Sequence, residues 1–215
     1  MKVVTLLVGL AALLSGPALA HAREDRTGPF IAEGGETGHR LHMRLDAAAT
    51  YAIGGYSALG VQLHLTGYTP VWNTRRATGT FDVGLLLGWQ NEPQFVEFPR
   101  PPRFLSNDTH RLNAWATVGH SFYIGQHRRF SLGLHVFAGW THVWSVAAIN
   151  DTARALKTRY SDNYGLFNAG ALLKFDYRFS RYLGLTAHIG APFQFQPSYV
   201  ATLAQVGIGL TGYLR

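Results

Sequence analysis

The chain has 215 residues, 24 of them glycine and none cysteine, with 47% hydrophobic and 14% charged residues and a formal net charge of +7. So few charges beside 13% aromatics exclude a disordered chain. The missing cysteines exclude a disulfide scaffold and a thiolate zinc site, and the scattering of the arginines speaks against a nucleic-acid surface.

Residues 1–20, MKVVTLLVGLAALLSGPALA, have a lysine at position 2, an apolar run from Val3 to Leu14 and the small-residue ending Ala18-Leu19-Ala20. This is the layout of a secretory signal peptide, with cleavage expected after Ala20. Residues 21–37 are polar and glycine-rich and read as an N-terminal tail, leaving 38–215 as one domain. No second apolar run is long enough for a membrane helix, but a closed barrel crosses with only about 9–11 alternating residues per strand.

From Arg40 onward the hydrophobic period is two, which predicts strands. The first strand sets Leu41, Met43, Leu45 and Tyr51 against Arg40, His42, Arg44 and Asp46. The second sets Leu59, Val61, Leu63 and Leu65 against Gly60, Gln62, His64 and Thr66. The third has Phe81, Val83, Leu85, Leu87 and Trp89 on one face and Asp82, Gly84, Leu86 and Gly88 on the other. Five more follow the same rule, over 111–122, 130–144, 167–179, 183–190 and 205–214. The sixth carries Lys174, Asp176 and Arg178 on its polar face.

In none of these strands does the apolar face hold Asp, Glu, Lys or Arg, while the polar face is mostly Gly, Thr, Asn, Gln and His. A cation facing lipid at mid-depth costs about 2–4 kcal/mol, which explains so clean a face. The expectation is therefore an inside-out barrel, apolar side to lipid and polar side to the lumen. Aromatics toward the strand ends, such as Tyr51, Trp89, Phe122, Phe130 and Tyr177, suit the two membrane interfaces. Tight turns are expected at Gly125–Arg128 and Ser180-Arg181, and long loops at Asn91–Asp108, Ser145–Asp162 and Pro192–Thr202. Short turns on one rim and long loops on the other place the short rim in the periplasm. Two links, Ile53–Ser57 and Gly67–Gly79, run against that alternation.

With this strand pattern, its leader and its last strand VGIGLTGYLR, the chain resembles the small eight-stranded outer-membrane barrels of the OmpA/OmpX kind. The resemblance implies an all-β, eight-stranded antiparallel up-and-down transmembrane barrel in the outer membrane of a Gram-negative envelope. Such barrels usually end on an aromatic residue, whereas this chain ends Tyr213-Leu214-Arg215. Eight strands enclose an interior just wide enough to be filled by side chains. The expected filling is a polar network of Arg44, Asp46, His64, Asp82, Lys174, Asp176 and Arg178, each carboxylate paired with a neighbouring cation.

No motif for a metal or a cofactor is present, and no catalytic set is expected. His120 and Ser121 are adjacent in a strand and so face opposite ways, and His142 with Ser145 lacks a spaced carboxylate. The expected role is non-enzymatic, either envelope structure or surface interaction. The partners are outer-membrane lipid, lipopolysaccharide phosphates beside Arg100, Arg103, Arg154, Lys157 and Arg159, and a protein met by loop residues such as Phe95, Val96, Phe98, Phe104 and Leu105. The alternatives are a lipid-A-modifying barrel enzyme and a soluble periplasmic lipocalin-like binder.

Overall fold

The computed structural model describes residues 42–54, 57–73, 77–99, 102–125, 128–151, 156–180, 182–196 and 200–214. The expected signal peptide and tail, together with Arg40, Leu41, Arg100, Arg154 and Arg215, lie outside the described residues. So do the side chains of Phe95, Val96, Phe98, Arg103, Phe104, Leu105 and Lys157.

The described chain is all β: β1 (His42–Ile53), β2 (Ser57–Asn73), β3 (Ala77–Pro99), β4 (Pro102–Ile124), β5 (Phe130–Asp151), β6 (Leu156–Arg178), β7 (Leu183–Phe195), β8 (Val200–Thr202) and β9 (Ala204–Leu214). Each strand from β1 to β7 pairs antiparallel with the next. β9 pairs with both β7 and β1 and closes a ring of eight staves. The short β8 caps β7 by pairing with Phe193–Phe195. Closure leaves no edge in the body of the sheet, so every ladder there is satisfied within the chain.

The polarity is inverted relative to a water-soluble barrel. Leu85, Val136 and Ile208 are 46%, 55% and 68% exposed, whereas Asp82 and Thr186 are 0% and 1% exposed. Alternating side chains of each strand thus divide into an apolar exterior and a filled, mainly polar lumen.

The long loops expected at Asn91–Asp108 and Ser145–Asp162 are instead mostly strand. β3 and β4 stay in register to Pro99↔Pro102, and β5 and β6 to Asp151↔Leu156. The prolines in the first segment suggested a loop, but β2 ends its pairing at Leu59↔Asn91. Beyond that point β3 is an edge strand, where a missing N–H is tolerated. Pro192–Thr202 is likewise partly strand, with β7 running to Phe195.

Gly67–Gly79 is also no extended turn. β2 runs to Asn73 and β3 resumes at Ala77, with a bulge between Pro70 and Trp72. The bulge absorbs the proline and turns Trp72 onto the outer surface near Phe122, at a ring separation of 6.1 Å.

Candidate functional site

Five charges meet inside the ring toward the end carrying the β4–β5 and β6–β7 turns. Arg44 of β1 is fully buried. Its Nη1 donates to Asp176 Oδ2 at 3.0 Å and to the Tyr123 hydroxyl at 3.2 Å. Its Nε and Nη2 stand 3.7 Å from Asp46 and 3.8 Å from Asp82. Lys174 donates to Asp46 and lies 3.6 Å from Asp176. Two cations thus face three carboxylates, and hydroxyls help to satisfy the rest: Thr80 donates to Asp82 at 2.6 Å and Ser131 to Asp176 at 3.0 Å. Buried charges persist only when paired and hydrogen-bonded in this way.

The imidazoles form the next level. His135 Nε2 is 3.0 Å from Asp82 Oδ2, and His64 Nε2 is 2.9 Å from the Thr117 hydroxyl. The two rings meet edge to face at 5.9 Å. The Arg178 guanidinium lies 3.4 Å above the Tyr213 ring. Of the residues expected to line the lumen, Arg44, Asp46, Asp82, Lys174 and Asp176 therefore share one network, His64 borders it with Nδ1 3.7 Å from Asp46, and Arg178 stacks on Tyr213. His135, Tyr123, Ser121 and Ser131 complete the arrangement. Tyr123 has the same strand parity as Ser121, and that was the signal available for it.

Above the imidazoles lies a layer that the polar-lumen expectation lacks. Leu86, Trp115, Phe137 and Leu172 are all buried and form one apolar cluster, with the Trp115 and Phe137 rings stacked at 4.6 Å and 10°. Glycines clear the space: Phe137 registers with Gly170, and Trp115 with both Leu86 and Gly139. Each of the four interrupts a polar row. Along β3 the inward order is Asp82, Gly84, Leu86, then Gly88 and Gln90; along β6 it is Asp176, Lys174, Leu172, then Gly170 and Asn168. The five-charge network thus lies wholly on one side of the layer.

On the other side, Thr141 donates to Asn113 at 2.6 Å, and Asn168 donates to Thr141 at 2.7 Å. Arg111 pairs with Glu92 there at 2.7 Å, and Gln205 donates at 2.6 Å to Gln62, which reaches down to line a space shared with Asp46, His64 and Lys174.

No acyl-transfer arrangement is assembled around Ser121. Its hydroxyl donates to Asp82, so the carboxylate stands between it and His135 rather than behind an imidazole base. His120 is on the outer surface, 5.4 Å from the Phe81 ring. His142 is also outside, 5.8 Å from Trp144. Trp144 continues through His110 to Trp89 in a stacked row at 5.4 and 5.8 Å. Among the described residues no three metal-ligating side chains come together.

No family model matches the chain, and no curated protein matches it. Solved structures do. The chain is similar to Neisserial surface protein A, at 11% identity and a TM-score of 0.42 over 81% of this chain and 98% of that one. It is also similar to the N-terminal β-barrel domain of Pseudomonas aeruginosa OprF, at 13% identity and 0.42 over 81% and 100%. A third is Ail, the attachment invasion locus protein of Yersinia pestis, at 12% and 0.38 over 82% and 99%.

Proposed function

We propose that this protein is an integral outer-membrane barrel with a closed lumen, non-enzymatic, that works at the cell surface through the sheet its middle strands raise above the bilayer. The inverted polarity carries the reading. An apolar exterior without a single Asp, Glu, Lys or Arg on the outward positions of Phe81–Trp89, Leu112–Phe122 or Leu183–Gly190 matches hydrocarbon. Residues with a polar edge, such as Trp89, His110 and Trp144, gather where that band ends.

Closure follows from the apolar layer, since ions cannot shed their water to pass four packed hydrophobic side chains. The surface role rests on the unequal staves. Among the described residues, Leu156–Leu166 of β6 pair on the β5 side alone, because β7 joins only from Phe167. That stretch spans roughly 35 Å at about 3.3 Å per residue. An open edge of this kind is a template for a partner's strand. Exposed Arg159 on the same edge suits the phosphates of lipopolysaccharide.

Membrane fractions run unboiled and boiled in SDS test the assignment. An intact barrel migrates differently after heating and stays with the membrane; a protein released without detergent and unshifted by heat would refute it. In planar bilayers the purified protein should show no steady conductance.

A further inference from the structure

We infer that the lumen contains a binding site for a single resident water molecule, held by Thr186, His188 and Asp46 just beneath the apolar layer. A space of about 10 Å³ lies among Asp46, Gln62, His64, Lys174, Thr186 and His188, with Leu172 of the apolar layer on its wall. That volume is about what one water needs.

The lining supplies the second requirement, two to four polar partners. Thr186 Oγ1 and His188 Nε2 are buried and have no hydrogen-bond partner among the described residues, and the two residues are 1% and 5% exposed. A buried polar atom left in that state costs about 1–3 kcal/mol. On the same lining, His64 Nδ1 and Asp46 Oδ2 stand 3.7 Å apart, too far for a direct hydrogen bond.

The charges around the space select the neutral ligand. Lys174 already donates to Asp46, so a cation entering would meet an ammonium and an anion would meet a carboxylate. Water satisfies both kinds of neighbour. It donates to the Asp46 carboxylate, accepts from the Thr186 hydroxyl, and either donates to or accepts from His188 Nε2 according to the imidazole tautomer. The site depends on the lumen geometry alone and stands whatever the protein does at the surface.

A high-resolution crystal structure of the detergent-refolded chain tests it. The expected result is one density peak within hydrogen-bond reach of Thr186 Oγ1, His188 Nε2 and Asp46, and its loss in Thr186→Val. Nuclear magnetic resonance of the unmodified protein supplies an independent reading, a cross-peak between the His188 ring protons and a slowly exchanging water. Direct pairing of Thr186 and His188 with protein groups and no peak between them would overturn the inference. So would a peak with the coordination distances of an ion.

Discussion

At the scale of single residues, Arg44 is the side chain on which the lumen's charge balance turns. It touches Asp176 and Tyr123 directly and lies within 3.8 Å of Asp46 and Asp82. Arg44→Met leaves three buried carboxylates to Lys174, and losing one partner of a buried ionic group costs about 3–5 kcal/mol. Urea unfolding in lipid vesicles should show a loss of that size, against less than about 0.5 kcal/mol for exposed Arg159→Met. Glycines divide as sharply. A Cβ on Gly209 would lie 1.9 Å from the Ala47 carbonyl oxygen, a backbone atom that cannot move aside, whereas on Gly88 the nearest atom is Asn113 Nδ2 at 3.3 Å. Gly209→Ala is expected to lower stability by about 1–3 kcal/mol and Gly88→Ala by clearly less, read from the same unfolding curves.

At the scale of strands, the outward rows set the energy of insertion. Leu85→Arg puts a cation on the lipid-facing side of β3 and should cost about 2–4 kcal/mol of folding free energy in vesicles. Tyr160→Arg, on the projecting part of β6, should cost less than about 0.5 kcal/mol. A similar loss at both positions would mean that the apolar face does not meet hydrocarbon. The same rows show what alternation can and cannot reveal. Phe81–Trp89 states its two faces plainly, because period two is the geometry of the pleat. The extension of β3 to Pro99 is hidden, because Pro93 and Pro99 carry the composition of a loop and are permitted only by the absence of β2 beside them. Leu86, Trp115, Phe137 and Leu172 are hidden for another reason. Each is an isolated apolar residue in a polar row, and their meeting depends on the register of the adjacent strands β3 to β6. The pairing of Arg44 with Asp176, 132 positions apart, depends instead on closure of the ring through β9 and β7. Strand patterns mark which residues face inward, and register and closure decide which of them touch.

At the scale of the molecule, the lumen holds a charged network toward one end and neutral polar pairs toward the other, with the apolar cluster of β3 to β6 between them. Trp115→Ala combined with Phe137→Ala removes the stacked rings and should introduce steady ion flow in planar bilayers where the parent shows none. A silent double variant that still shifts on heating would place the seal elsewhere. The position of the layer has an electrical consequence. A voltage applied across the bilayer would fall mainly over that low-dielectric stretch, because polar matter on either side polarises to cancel it. Arg44, Lys174 and their carboxylates all sit below the drop, so none of them would be carried through it, and the barrel should remain shut at either sign of the potential.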